Sequence, residues 1–353
     1  MILFTLATLL PAVLLCLGAI WGGVWIWAGV GAITVLCFTI DRLIAGEAAR
    51  RNADTEFPAG DVLSVTLALL HLPMLLLAVT AIGAGNAVLP LTPWDRIGVL
   101  IGFGLFFGQI GHPNAHELIH RSGRVLRDLG VMIYATLLMG HHASAHRLVH
   151  HVHVATGADP NSAPKGLGFW RFAPRAWLGS FRAGLRAETA LRSRSSRMGH
   201  PIHPYFIYTG WSLIIISSST ALAGWAGLLA CLGLAGYAQV QILLADYVQH
   251  YGLRRSLRDN GKPEPVNAAH SWNSPHFFSS AMMLNAPRHL DHHIHPSRPY
   301  PALRLTPDMP RLPHSLPVMA VIALIPPLWR RVMDHRLNAL SPTNVTPAAP
   351  ASD

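Results

Sequence analysis

Residues 1–40 read MILFTLATLLPAVLLCLGAIWGGVWIWAGVGAITVLCFTI, forty positions without one charged side chain. A helix crosses a bilayer with roughly 20 apolar residues, so this stretch is long enough to cross twice, and Gly22-Gly23 near its middle supply a turn. A secretory signal does not fit, because its apolar core runs to only about 7–15 residues and follows a charged start. Residues 205–245 repeat the pattern: again no charge, with a break near Gly224. Between the two hairpins, 62–83 (holding His71 and Pro73) and the Gly-rich, uncharged 97–115 read as single spans. The expected fold class is therefore all-α and integral to the membrane, with six transmembrane helices.

Composition agrees. Only 12% of the 353 residues are charged, against about 25% in a soluble domain, which excludes a soluble two-domain protein. The apolar share excludes a disordered chain. Three cysteines, Cys16, Cys37 and Cys231, all in apolar runs, exclude a disulfide scaffold. Of the 27 Lys and Arg residues, a six-span chain places all but Arg96 on one side. Basic loops mark the cytoplasmic face, so both termini are expected inside. The net charge of +10 is then mostly one basic cytoplasmic face, which can steer an acidic protein partner; no nucleic-acid partner is expected.

The run 129–140 is too short to span, and a crossing there would separate His120 from His146; it reads as an interfacial or re-entrant helix. The run 317–329, holding Pro326 and Pro327, is expected to pack on the cytoplasmic part. The expected layout is spans one to four in 1–120, a cytoplasmic segment 121–204, spans five and six in 205–249, a second cytoplasmic segment 250–340 and a disordered tail 341–353.

The 21 histidines outnumber the 17 acidic residues. Nine fall in four clusters, each beside the exit of a helix on the same side: His116 and His120; His146, His150 and His151; His250; and His289, His292 and His293. Positions four apart share a helix face, so His116 and His120 can reach one ion. Nine imidazoles exceed the needs of one metal, and imidazole suits zinc, copper, iron and nickel alike. Spacing alone therefore says two nitrogen-rich metal sites. Lone histidines (His71, His200, His203, His314, His335) read as packed or surface residues; His112, one turn before His116, is a minor ligand candidate, and His141 and His142 stay open. His116-Glu-Leu-Ile-His120 also fits a zinc-protease motif, but that site would leave seven histidines unexplained.

These boxes resemble the histidine-box pattern of integral-membrane di-iron enzymes, the fatty-acid desaturases and hydroxylases. The finer resemblance is to the bacterial membrane alkane 1-monooxygenases, which take electrons from rubredoxin, with the xylene monooxygenases as relatives. It rests on His116-Glu-Leu-Ile-His-Arg121, on His146-x3-His150-His151 running into Val154-Ala-Thr156 and Asp159-Pro160, and on Tyr247-x2-His250-Tyr-Gly-Leu253. It rests also on His270-Ser-Trp-Asn-Ser274 and on Arg288-His-x-Asp-His-His293 continuing to His295-Pro-x-Arg298. It covers roughly 60–335. His250 and the His270–Ser274 stretch lie outside the general desaturase pattern. Ala145, Gln249, Pro287 and Leu290 depart from the family's usual residues, which alters the surroundings of the histidines rather than the set.

The resemblance implies two iron ions, held by the nine histidines, that use O₂ and two electrons to hydroxylate a hydrocarbon drawn from the bilayer, most directly the terminal carbon of an alkane. A saturated C–H bond has no polarity for acid–base or nucleophilic catalysis, so a redox metal is required. Asp291, between two ligands, and Asp246 are the expected orienters; Glu117 is not assigned as a base, since a helical neighbour of a ligand points elsewhere. No nucleotide fingerprint and no cysteine pairs are present; Gly102-Phe-Gly104 reads as close helix packing. Electrons are therefore expected from rubredoxin with its reductase, or from a ferredoxin-type donor. The location implied is the bacterial inner membrane, with the metal site cytoplasmic. Trp21, Trp25 and Trp27 could limit a substrate tunnel or anchor the interface. Methyl hydroxylation of an alkyl-aromatic, acyl desaturation and, from another class, metal transport are the rivals; transport would need ionisable residues deep in the spans, where only His71 qualifies.

Overall fold

Gly22 and Gly23 both have positive φ, 66° and 59°, a backbone region that glycine enters without a Cβ penalty. They reverse the chain between α1 (Ile2–Trp21) and α2 (Val24–Leu43), which pack side by side. The computed structural model describes residues 1–44, 59–84, 90–194 and 202–340. Among these, every regular element is helical. The expected disordered tail 341–353 and His200 lie outside the described residues.

The next helix, α3, is Ala59–Gly83. α4 (Pro93–Phe106) starts at a capping box: the Thr92 hydroxyl accepts the Asp95 N–H at 3.2 Å and the Asp95 carboxylate accepts the Thr92 N–H at 2.9 Å. Asp95 also accepts the Gly23 N–H at 2.8 Å, pinning the first hairpin to α4. α4 continues through a π-helical turn, Phe107–Gly111, into α5 (His112–Ile119). The expected packing role of Gly102-Phe-Gly104 holds: a Cβ on Gly104 would lie 2.1 Å from the Tyr237 ring, and one on Gly102 would lie 2.4 Å from Leu15.

α6 (Arg124–Thr136) folds back against α5. Its 13 residues make about 20 Å of helix, short of the roughly 30 Å hydrocarbon core. It starts earlier than the expected 129–140 and stops at Thr136, where Leu138 turns left-handed (φ 57°) and the Met139 N–H reaches back to the Tyr134 carbonyl. That is a helix-ending capture of an orphan carbonyl. α7 (His141–Ala145) then leads into another π-helical turn, His146–His150. α8 (Phe169–Arg194) lies against α7.

α9 (Pro204–His250) is two helices. Ala223 and Gly224 leave helical geometry, and two bonds show that the chain reverses there. Ser212 donates to the Ala135 carbonyl at 2.9 Å and Gln239 donates to the Leu137 carbonyl at 2.8 Å. In a straight helix these side chains would stand roughly 40 Å apart; instead both meet the end of α6. Among the described residues, four helices are long and apolar enough to cross a membrane, Ile2–Trp21, Val24–Leu43, Gly60–Gly83 and the doubled Pro204–His250.

The C-terminal part closes over one end of these helices. The buried Asp41, at the end of α2, accepts the N–H groups of Phe278 and Ser279 at the start of α10 (Phe277–Met282). After α11 (His289–Ile294), the run expected to pack on this part forms α12 (Leu316–Ala323), against α9, and α13 (Pro326–Asn338). Trp329 of α13 is fully buried between Tyr247 and Tyr251, with ring centroids at 5.2 and 5.3 Å.

Candidate metal centre

The chain brings all nine clustered histidines together and sorts them. His116, His120, His146, His151 and His292 form one group and His150, His250, His289 and His293 a second; within each, one nitrogen per ring lies within 4.8 Å of the others. The Nε2 atoms face inward. His146 Nε2 is 2.8 Å from that of His116 and 3.0 Å from that of His151, and His151 Nε2 is 3.1 Å from that of His292. In the second group, His289 Nε2 is 3.0 Å from that of His250 and 3.1 Å from that of His293. Ligand nitrogens about 2.0–2.1 Å from a shared ion stand roughly 2.9–3.4 Å from one another, so both groups have the size of a coordination shell.

Local geometry does the sorting. α5 keeps His116 and His120 on one face, as four-residue spacing requires. The second cluster behaves differently, because His146–His150 is a π turn in which the His151 N–H bonds back to the His146 carbonyl. The wider turn sets His146 beside His151 and sends His150 to the other group. On α11, His289 and His293 share a face and His292 lies off it. Each of these two segments thus supplies both groups.

The rings suit a metal. Burial first, then the charge of neighbouring histidines, holds His146, His151, His289, His292 and His293 well below the ordinary imidazole pKa, and burial followed by the charge of Arg147 pushes His120 down to about 3. Neutral imidazoles offer the lone pairs that metal binding needs. Buried nitrogens without a hydrogen-bond partner include His120 Nε2 and His150 Nε2, a costly arrangement in the absence of a ligand. Among the described residues no carboxylate belongs to either group, so the donor set found there is all nitrogen.

The comparisons decide the family. A family model described as fatty acid desaturase matches residues 92–321. The chain is 32% identical to alkane 1-monooxygenase 1 of Pseudomonas aeruginosa over 89% of its own length and 84% of that protein's. It is 31% identical to alkane 1-monooxygenase 2 of the same organism, over 92% and 87%.

The chain belongs to the alkane 1-monooxygenase family. It is an oxidoreductase of that kind. It is also 26% identical to the xylene/toluene monooxygenase hydroxylase component XylM of Pseudomonas putida, over 91% of this chain and 85% of that one.

In this alkane 1-monooxygenase relative, the group that grips a ring is Asp159. Its Oδ2 lies 2.8 Å from His150 Nδ1 and accepts the Ser162 hydroxyl at 2.6 Å, while its Oδ1 accepts the Asn161 N–H at 3.1 Å. Burial opposes charge on both partners, but each outweighs it for the other: His150 is raised above, and Asp159 lowered below, the ordinary value. In the neutral ring that a metal needs, the carboxylate beside Nδ1 holds the proton there and leaves the Nε2 lone pair for the second group. Neither expected orienter bonds a ring of the two groups directly among the described residues, though Asp246 lines a small cavity with His116, His146 and His289. Asp291 is occupied by Arg298, at 2.5 and 2.6 Å, and by the Arg304 N–H; Asp246 accepts from Asn161 Nδ2 at 2.5 Å. Glu117 turns to Arg121 (3.5 Å) and the Tyr300 N–H (3.3 Å), away from the rings, which removes the protease reading's base.

The His270–Ser274 stretch is a clamp. Trp272 N–H bonds the Gln249 carbonyl and its indole bonds the Tyr251 carbonyl, while Asn273 Oδ1 accepts the Leu290 N–H at 3.0 Å and the Ser274 N–H bonds the Pro287 carbonyl. His250 Nδ1 lies 3.3 Å from the His270 carbonyl. The end of α9 is thereby tied to the start of α11, which carries three of the nine rings. Two of the departing residues fit quietly: Gln249 donates to the Ala286 carbonyl and Leu290 packs with Leu305 and Met309. Five further histidines have other partners or stand beside the groups. His71 bonds Thr136 at 2.9 Å, His203 accepts the Tyr205 N–H and His141 packs on Trp177 and Phe181. His112 bonds Tyr134 at 2.9 Å; His142, buried with neither nitrogen partnered, stacks on His146. Both line a small cavity of about 10 Å³ that also meets His116, His146 and His289 from the two groups.

Proposed function

We propose that the chain hydroxylates a hydrocarbon, foremost the terminal carbon of an alkane, at two iron ions held by the nine histidines. The observation that carries this reading is the sorting of nine buried histidines into five and four, with no carboxylate, in a member of the alkane 1-monooxygenase family. When bound, iron supplies the redox chemistry through which O₂ attacks an unactivated C–H bond, one oxygen atom entering the substrate and the other leaving as water.

The chain's own residues position and protect. Asp159 holds the Nδ1 proton of His150, and the clamp from Trp272 to Ser274 fixes the segments that carry His250 and His289. The small cavity between the groups offers an apolar wall of Ala245, Met283 and Leu316. The same three residues line an adjoining pocket with Gly108, Pro317 and Ala320, between α4, α9 and α12. This is the approach we assign to an alkane leaving the bilayer. Trp21, Trp25 and Trp27 are each more than two-fifths exposed, which favours interfacial anchoring over a tunnel limit.

Six spans, with α4–α5 as the fourth and the halves of α9 as the fifth and sixth, put the histidine clusters on the basic side. That side is cytoplasmic by the distribution of Lys and Arg, and an inner membrane follows. Reducing power comes from outside the chain, from rubredoxin or a ferredoxin-type protein, with the basic face steering an acidic donor.

The test is product analysis with ¹⁸O₂ after octane, hexadecane and xylene are supplied to cells that also make a rubredoxin and its reductase. An ¹⁸O-labelled terminal alcohol is expected. Labelled methylbenzyl alcohol as the sole product would move the substrate to alkyl-aromatics, and alkene without label would overturn hydroxylation.

A further inference from the structure

We propose that a second cavity, behind the His146–His150 turn, binds the phosphate of an anionic phospholipid. It has about 450 Å³ of room and lies among α6, α7 with the turn that follows it, α8 and the start of α9. His142 and His146 face the metal centre, whereas Ser144, Arg147 and Leu148, on other faces of the same segment, line this cavity.

Its charge is lopsided. Four arginines and two carboxylates line it. Arg124 lies 3.7 Å from Asp128 and Arg192 lies 3.9 Å from Glu188. Glu188 also accepts the Ser144 hydroxyl at 2.7 Å, and Ser144 is 2.6 Å from the Tyr208 hydroxyl, which donates onward to it. Both carboxylates are therefore engaged. Arg127 gives its guanidinium to the carbonyls of Arg121 and Ser122, and Arg147 meets no carboxylate among the described residues. Two positive charges remain for an anion.

The rest of the wall is apolar: Ile119, Val131, Leu148, Leu191, Ile202 and Ile207. A free phosphate would leave that surface uncovered, and a folded acidic protein could not enter a concavity of this size. A phospholipid matches both halves, its phosphate among the arginines and its glycerol and first methylenes on the isoleucines and leucines. Pro204, which opens a membrane-spanning helix, also lines the cavity, placing it at headgroup depth. Basic clusters at the membrane surface attract anionic lipid headgroups. Ser144 and Arg147 share their helical segment with His146 and His150, so occupancy stiffens part of the metal centre.

The full chain, purified in detergent, is titrated with phosphatidylglycerol, phosphatidylcholine and inorganic phosphate, with thermal unfolding and native mass spectrometry as readouts. Phosphatidylglycerol should bind saturably and raise Tm, and Arg127→Gln should weaken it at least tenfold, with Arg147→Gln as a second variant should the first not fold. Arg127→Lys, which keeps the charge, should recover most of the affinity, and Arg258→Gln, a charge change on the exposed 256–262 loop, should leave it unchanged. Equal binding of phosphatidylcholine, an equal loss in Arg258→Gln, or an Arg127-dependent shift with inorganic phosphate but not with lipid would each overturn the assignment. So would an Arg127→Gln protein that loses affinity only for an acidic electron-donor protein.

Discussion

Replacing Asp159 by Asn keeps shape and removes one charge at the only carboxylate that grips a ring of the two groups among the described residues. Asp159 receives three hydrogen bonds, from His150 Nδ1, the Ser162 hydroxyl and the Asn161 N–H. An amide cannot accept all three on one oxygen. With its NH₂ toward His150, the ring must turn Nδ1 into an acceptor and carry its proton on Nε2, the atom the second group needs. With the NH₂ toward Asn161, two donors face each other in a buried site. Loss of such a partner typically costs 10–100-fold in metal affinity, about 1.4–2.7 kcal/mol. The loss should be confined to the second group, because Asp159 touches no ring of the first. The assay is iron retained against a chelator series, by elemental analysis of protein whose helical content is checked by circular dichroism. Asp159→Asn should release one iron at about 10–100-fold lower chelator and hold the other as wild type does. Two irons released together, or both retained as in wild type, would refute the reasoning.

Further outcomes follow from the sorting and its supports. His292→Ala should lose the ion of the first group and keep that of the second, whereas His289→Ala or His250→Gln should do the reverse; elemental analysis with Mössbauer spectroscopy separates the cases. Asn273→Ala leaves the buried Leu290 N–H without its acceptor and should cost about 1–3 kcal/mol, read as a lower Tm with partial iron loss. Trp329→Ala, at a fully buried site, should cost about 3–5 kcal/mol without changing iron stoichiometry in the protein that remains folded. Single cysteines at exposed positions near Gly123 and Ser144 in a cysteine-free background should label from the same side of the membrane, since α6 is too short to cross between them; labelling from opposite sides would refute that.

The helical hairpins were legible in sequence because membrane insertion is a demand on long uncharged runs, and Gly22-Gly23 and Gly224 mark the reversals that such runs need. The nine histidines were legible for a similar reason: so many imidazoles beside helix exits have few structural uses. Their division was not. It depends on the π turn at His146–His150, and nothing in the residues of that segment announces an extra residue per turn. Chain proximity pointed to Asp291, between two rings, and to Asp246, while the carboxylate that bonds a ring, Asp159, was not legible. Asp159, nine positions past His150, reaches its ring only because the chain turns at 154–158. Asn273 and Trp272 stood in the segment that set this family apart from the desaturases, yet their role as a clamp emerges only when α9 and α11 lie side by side. His112 and His142 join the site through packing between α5 and α7, which spacing along one helix cannot reveal.

The central claim is that nine histidines form two nitrogen-only iron sites. Elemental analysis of the purified full chain, made in iron-sufficient cells and quantified by amino-acid analysis, tests it most directly. The account predicts two irons and no stoichiometric zinc per chain, falling to one in His292→Ala and to one in His289→Ala. One zinc and no iron, or a single iron lost in both variants alike, would contradict it.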